Sequence, residues 1–380
     1  MGELGSPTRG WLRWSWPAEP GLAAVGDVMT VTGPVAQSRL GVTLPHEHVF
    51  LDLSCLWHEP RDPSRAWLVD APVAAPLQAT LATDPYHSRD NLRLDDEAVA
   101  LRELEYLVAA GGHTLVDMST LTIGPYPEQL RRLALQLDLA LVAGTGFYVQ
   151  RAHPDWLRDA PWQQLAERML HDLSDGFGES KIRAGVIGEL GTSSPLHPDE
   201  IKVLRAAAAV QAQYPVGINV HLTLFEREGI EVVRLLEGFG ADLSRVALSH
   251  LDETLDPGYH DLLAQTGVFL EFDTFGSECW FTESGTREPT DLERLAALRR
   301  LADQGYSGQL LLSQDVCTKM QWHQHGGRGY DHLLTAVVPR LLEVGFSERE
   351  VARMLEDNPA RFLGGAPVPG ANPARPAPPP

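Results

Sequence analysis

Eight short apolar runs rich in β-branched residues alternate with stretches of helical periodicity, and ionisable residues fall at the C-terminal ends of the runs. Together these observations predict an α/β chain, a (β/α)8 TIM barrel with a short N-terminal β-hairpin. The main rival, an open doubly wound sheet, would want a dinucleotide or P-loop signature. Gly144-Thr145-Gly146 lacks the third glycine of a dinucleotide loop and reads as a tight turn.

Taken in order, the hairpin is the run Val31-Thr32-Gly33-Pro34-Val35, opened by Met29. The eight strands are residues 42–50, 114–118, 139–143, 184–189, 216–221, 246–250, 268–273 and 310–315. Their almost unbroken apolarity fits parallel strands covered by helices. The first long helix is carried by Leu94, Ala98, Leu101, Leu104 and Val108, with Asp95 and Asp96 as its start and Gly111-Gly112 as its stop. The barrel domain is read over residues 29–364. Residues 1–28, with scattered Pro, Gly and Trp and no periodicity, read as a poorly ordered extension, with Met29 as a candidate true start. Residues 365–380 close on three prolines and read as a disordered tail, because such a composition buries too little surface to offset ordering.

The balance of 31 Lys+Arg against 51 Asp+Glu, a formal charge of −20, argues against nucleic acid as a partner. Backbone phosphates are gripped by an excess of Lys and Arg, which this chain lacks. Cys55, Cys279 and Cys317 are far apart and form no CxxC, so neither a disulfide framework nor a thiolate zinc site is encoded. No run of ~18 apolar residues could span a bilayer, and the N-terminus lacks the basic-then-apolar order of a signal peptide. The expectation is a cytoplasmic protein acting on a small molecule, away from membranes.

The chemistry lies in the strand ends. His46 and His48 end the first strand, Glu189 the fourth, His221 the fifth, His250 the sixth and Asp315 the eighth. In a barrel the C-terminal ends of all strands converge on one mouth. Residues two apart on a strand share a face, so His46 and His48 form a chelating pair while Glu47 points away. Four imidazoles and two carboxylates are N/O ligands suited to zinc, manganese, iron or cobalt, and they suffice for two ions if one carboxylate bridges. Glu189 is the natural bridge. Such a pair would share a hydroxide available at neutral pH, and Asp315 could shuttle its proton to a leaving group, which makes the implied reaction a hydrolysis. His323 and His325 form another HxH, but in a polar loop past the last strand. They read as loop residues, and His87, His113, His153, His197 and His260 as structural.

From about Met29 to Leu363 the sequence resembles the phosphotriesterase-like branch of the amidohydrolase superfamily. The resemblance rests on the block Leu40-Gly41-Val42-Thr43-Leu44-Pro45-His46-Glu47-His48, on Gly144-Thr145-Gly146-Phe147-Tyr148, and on Gly185-Val186-Ile187-Gly188-Glu189-Leu190-Gly191. Leu312-Ser313-Gln314-Asp315, Gly326-Gly327-Arg328-Gly329-Tyr330 and Asn358-Pro359 complete it. It implies a (β/α)8 barrel with a binuclear metal site and, often, a homodimer. His46, His48 and Asp315 would hold the buried ion and His221 and His250 the exposed one, with Glu189 bridging. Two divalent ions per chain are implied, Zn2+ first, with Mn2+, Co2+ or Fe2+ as alternatives.

One departure is informative. Organophosphate-degrading and lactonase members carry a carboxylated lysine as the bridge, where this chain has Glu189. That is similar to the phosphotriesterase-related subgroup, whose assigned activities include hydrolysis of lactones and of N-acyl amides such as N-acetyltaurine. The expected substrate is therefore a small lactone, ester or N-acyl amide, with phosphotriester hydrolysis as the alternative. A TatD-type deoxyribonuclease is a remoter alternative. It shares the HxH and the Gly-Glu-Leu-Gly turn, and the strand-eight blocks and the charge speak against it.

Specificity is expected in the loops after strands seven and eight, residues 274–291 and 316–330, which hold Trp280, Lys319, Arg328 and Tyr330. Aromatic and cationic side chains there would suit a substrate with an apolar part and an anionic head. Tyr148, after strand three, is expected to face the mouth and donate a hydrogen bond to a substrate oxygen.

Overall fold

The computed structural model describes residues 26–364, and the features expected of residues 1–25 and 365–380 lie outside them. The strands are β1 (Asp27–Thr30), β2 (Gly33–Ala36), β3 (Thr43–Glu47), β4 (Leu51–Asp52), β5 (Arg93–Leu94), β6 (Thr114–Asp117) and β7 (Ala140–Thr145). They continue with β8 (Val186–Gly191), β9 (Ile218–His221), β10 (Val246–Leu248), β11 (Phe269–Phe272), β12 (Trp280–Phe281), β13 (Thr286–Arg287) and β14 (Leu310–Leu312).

Eight of these form one sheet in the order β14-β11-β10-β9-β8-β7-β6-β3, with every neighbouring pair parallel. Helices run between successive strands, so the fold is the (β/α)8 barrel. Among the described residues, β14 and β3 share no strand ladder, and side chains close that seam. The Glu47 carboxylate accepts from Ser313 Oγ at 2.8 Å, from the Gln314 amide at 2.9 Å and from the Val316 amide at 2.8 Å. Glu47 does face away from His46 and His48, as its register requires, yet it is fully buried and acts as a clasp rather than meeting solvent.

The expected hairpin is β1 and β2, antiparallel, pairing Asp27 with Ala36 and Met29 with Pro34. Its register extends the ordered fold two residues ahead of Met29, so Asp27 and Val28, read as extension, are strand. Val28 is buried with Val116, Val142, Val186, Phe269, Leu311 and Phe362 in an apolar layer at the lower end of the barrel lumen. The hairpin caps the N-terminal face and leaves the other face for the site.

Two local expectations are corrected. Gly144 and Thr145 belong to β7 rather than to a turn, pairing with Val186 and Ile187, and the glycine answers close packing, since a Cβ there would collide with the Gly188 carbonyl of the adjacent strand. The first long helix, Glu97–Ala109, is capped by Asp96, whose carboxylate accepts from the Ala98 and Val99 amides. That cap sets the phase so that Val99, Ala100, Leu104 and Leu107 are buried, while Ala98 and Val108 face solvent. Apolar residues fall on both faces of this helix, with Ala98 and Val108 beside the exposed Arg102 and Glu105, so periodicity alone could not fix the phase. Among the described residues no helix is long and apolar enough to cross a membrane.

Candidate metal centre

The strand ends bring all six expected ligands to one mouth. His46 is fully buried and His48 nearly so at the end of β3, Glu189 is buried in β8, His221 ends β9, and His250 and Asp315 follow β10 and β14. His250 and Asp315 adopt left-handed backbone, at φ 60° and 45°. This conformation is uncommon for residues with a Cβ, and it turns both side chains back over the lumen.

The Glu189 carboxylate stands at the centre of the group. Its Oε1 lies 3.3 Å from His48 Nε2, and its Oε2 lies 3.1 Å from His221 Nδ1, 3.6 Å from His46 Nε2 and 3.8 Å from His250 Nε2. Asp315 Oδ1 completes the other side, 3.2 Å from His48 Nε2 and 3.8 Å from His46 Nε2. The ligand atoms of His46, His48 and Asp315 all lie within 4.8 Å of one another, as do those of His46, Glu189 and His250. Tyr148 Oη approaches His221 from outside, at 3.4 Å from each ring nitrogen.

Behind the candidate ligands is a shell that the sequence reading missed. His46 Nδ1 meets Ser249 Oγ at 3.1 Å, Asp273 Oδ2 at 3.2 Å and Glu271 Oε2 at 3.3 Å. Glu271 Oε2 also accepts from Asn219 Nδ2 at 2.5 Å and Ser249 Oγ at 2.9 Å. His48 Nδ1 meets Ser119 Oγ at 3.0 Å, and His250 Nδ1 meets Asp273 Oδ1 at 3.0 Å. Holding each Nδ1 fixes the ring so that Nε2 points at the centre, the arrangement that orients metal-binding histidines. The overlooked signal was the two-residue period: Glu271 and Asp273 sit two and four residues after Phe269, and Asn219 sits two before His221, all on inward positions.

The electrostatics agree with a cation at this centre. Burial alone would push the His46 imidazole down, but Asp273, Glu271 and Glu189 hold it well above the usual histidine range. Burial opposes the protonation of His48 too, and the Asp315 and Glu189 carboxylates beside it still carry it up to about 9. Burial would raise the Glu189 carboxyl, yet His221, His250 and His48 hold it well below its usual range. Buried carboxylates thus demand compensating positive charge. His46 Nε2 and Asp315 Oδ1 are moreover buried with no hydrogen-bond partner among the described residues. Buried polar atoms are normally paired, and imidazole nitrogens with carboxylate oxygens form the donor set of divalent zinc-class ions. The residues present therefore fit such ions.

A cavity of about 240 Å³ opens over this centre. Its walls include Leu53, Leu56, Tyr86, Tyr148 and Phe275, and its charged lining includes Glu253, Glu278, Glu288 and Arg328. Arg328 is the one Arg or Lys among the described lining residues. It is held by Asp291 at 3.3 Å and Glu278 at 3.6 Å, with its side chain 44% exposed. Burial pushes the Glu253 carboxyl up to about 8, against the pull of Arg294.

Three expected substrate contacts do not reach this cavity. Lys319 turns away from it, and its Nζ pairs with Asp90 at 2.7 Å and Asp95 at 3.5 Å. Tyr330 is fully buried, and its hydroxyl donates to the His48 carbonyl at 2.7 Å. It therefore props the ligand strand from behind. Trp280 sits on the β12–β13 hairpin with 59% of its surface exposed. His323 pairs with Asp331 at 2.6 Å, and His325 stacks on Trp322, both away from the cavity.

Comparisons with known proteins agree with this geometry. The sequence model of the phosphotriesterase family matches residues 26–363. An N-acetyltaurine hydrolase of Pongo abelii is 35% identical, over 89% of this chain and 98% of that one. Among solved structures, a resiniferatoxin-binding protein from Rhodobacter sphaeroides superimposes with a TM-score of 0.87 at 35% identity, covering 89% of this chain and 95% of that one. The phosphotriesterase homology protein from Escherichia coli, complexed with phosphate in its active site, superimposes with a TM-score of 0.71 at 28% identity. That match covers 86% of this chain and 99% of that one.

Proposed function

This chain belongs to the phosphotriesterase family and is a metal-dependent hydrolase, and from that premise we propose that it cleaves the acyl bond of a small N-acyl amide, with N-acetyltaurine the first candidate. The observation that carries the reading is Glu189, one carboxylate with an oxygen toward each half of a histidine ring. His46, His48 and Asp315 would hold one ion, His221 and His250 another, with Glu189 between them. When bound, two such ions supply Lewis acidity toward a carbonyl and make a water acidic enough to react at neutral pH.

The chain's own groups do the rest. The Asp315 carboxylate accepts the proton of the attacking water and returns it to the leaving amine nitrogen. Tyr148 Oη, on the cavity wall beside His221, donates to a substrate oxygen. Arg328, at the cavity edge, receives an anionic head such as a sulfonate. The apolar wall of Leu53, Leu56 and Phe275 keeps competing water out. A cavity of about 240 Å³ suits an acyl group of a few atoms rather than a polymer.

A hydrolysis panel on zinc- or manganese-loaded protein tests this, with N-acetyltaurine, N-acetyl amino acids, γ-lactones with and without phosphate, and an aryl phosphotriester. The expected outcome is kcat/KM of ~10⁴ M⁻¹s⁻¹ or more on an N-acyl amide, the ordinary range for a native reaction, with the phosphotriester far behind. A leading lactone would move the substrate class within acyl transfer. A leading phosphotriester would overturn the proposal.

A further inference from the structure

The long loop between β3 and β6 carries another group of metal-type side chains, apart from the centre above. His58 Nε2 lies 3.4 Å from Asp84 Oδ2, and His87 Nε2 lies 3.5 Å from the same oxygen. Glu283, in the turn joining β12 to β13, brings Oε1 to 3.7 Å from His87 Nε2. Ligand atoms of His58, Asp84 and His87 all lie within 4.8 Å of one another. A tetrahedral ion bound at ~2.0–2.1 Å spaces its ligand atoms by ~3.3–3.4 Å, close to the 3.4 Å and 3.5 Å that separate the Asp84 oxygen from the two imidazole nitrogens.

His87 supplies the independent observation. Its side chain is fully buried, and neither Nδ1 nor Nε2 has a hydrogen-bond partner among the described residues. Two other histidines read as structural, the partly buried His153 and the buried His260, each use one nitrogen on a carbonyl, His153 on Tyr148 at 2.7 Å and His260 on Leu251 at 2.9 Å. A buried imidazole with both nitrogens idle is costly unless something else takes the lone pair. The His58 and His87 rings meet edge to face, with centroids 4.8 Å apart.

We propose that His58, Asp84, His87 and Glu283 form a further divalent-metal site of the zinc class, which clamps the β3–β6 loop to the β12–β13 hairpin. The two segments already touch there: the Trp280 amide donates to the Ala82 carbonyl at 2.7 Å and the Thr282 amide to the Thr83 carbonyl at 3.2 Å. Tyr86 stacks on Phe281 with centroids 6.1 Å apart. Ala82, Pro85, Tyr86 and Cys279 from these same segments line the active-site cavity, so the ion would stiffen that wall from behind. Arg61 and Arg65 flank the group and limit its net negative charge. The Arg61 amide donates to Glu283 Oε1 at 2.7 Å, and Arg65 Nη1 donates to Thr83 Oγ1 at 2.6 Å.

Zinc content decides the matter independently of catalysis. Zinc-loaded wild type, His58→Ala and Glu283→Gln, freed of loose metal by gel filtration, would be compared by plasma mass spectrometry. The His58 side chain is 46% exposed, so removing it opens no buried hole. The expected result is one zinc per chain fewer in His58→Ala than in wild type and weaker retention in Glu283→Gln. Tryptic cleavage at Arg61 and Arg65 should be several-fold faster in His58→Ala. Equal zinc in wild type and His58→Ala would overturn the site, and loss of zinc with unchanged cleavage would overturn the clamp.

Discussion

The two halves of the barrel lumen are built from the same strands and differ by a step of two residues. In the lower half Ala247, Phe269 and Leu311 meet Val116, Val142 and Val186, with Val28 and Phe362 closing the floor. Two residues further along, Ala247 gives way to Ser249, Phe269 to Glu271 and Leu311 to Ser313, all buried. The floor is held by apolar burial alone. The upper half buries charges that are tolerable only because each meets a partner or a ligand site. Stability is therefore expected to reside below and chemistry above, with the polar layer coupling them.

The sharpest way to break that division is a pair of substitutions. Asp315→Asn removes the proton acceptor but keeps the shape, and Asn tolerates the left-handed backbone at this position. Turnover should fall ~10³-fold or more, within the range for removing general acid-base catalysis, while the denaturant midpoint stays near wild type. Phe269→Ala should do the reverse. Phe269 is buried against Phe362 at 5.9 Å between centroids, and its truncation should cost ~3–5 kcal/mol of unfolding free energy. The kcat/KM per folded molecule should stay near wild type. Full activity in Asp315→Asn would remove the shuttle role, and an inactive but folded Phe269→Ala would show that the halves are not separable.

Glu271→Gln probes the layer between them. The carboxylate receives Asn219 and Ser249 and faces His46 Nδ1. The amide keeps the volume but loses charge behind a ligand, and changes of this kind typically lower metal affinity ~10–100-fold. Competition with a metal buffer would measure it, and activity should return when metal is raised. Unchanged affinity would make Glu271 a packing residue and move the boundary between floor and site upward.

The same comparison explains what the sequence could and could not disclose. The floor and the convergence of the candidate ligands were legible because strand periodicity is local: His46 and His48 declare a shared face by their spacing, and apolar runs declare burial. The polar layer was harder, since Ser249 or Glu271 inside an apolar run gives no sign of which distant group answers it. The loops were least legible. Lys319 finds Asp90, Tyr330 finds the His48 carbonyl, and His87 meets Glu283, all pairings fixed by tertiary structure rather than by neighbouring residues. Residue type suggested that Lys319, Trp280 and Tyr330 would serve the substrate, and none of the three lines the cavity.

Lys319 and Arg328 turn that lesson into the smallest of the predictions. Both are cations on the strand-eight loop, and by residue type either could receive an anionic head. Arg328 lines the cavity with nearly half its side chain exposed. Lys319 is only 14% exposed and bound to two carboxylates on the far side of the loop. Arg328→Met should raise KM for N-acetyltaurine about tenfold, the loss of one charge-assisted contact worth ~1.5 kcal/mol, and spare a neutral lactone. Lys319→Met should leave KM for both within about twofold, because its partners are exposed enough for water to replace the lost ion pair. If the two variants behave alike, with KM rising for the anionic substrate in both, the loop must rearrange on binding and bring Lys319 to the mouth. If KM moves in neither, the anionic head is recognised elsewhere, and Arg328 only braces Asp291 and Glu278.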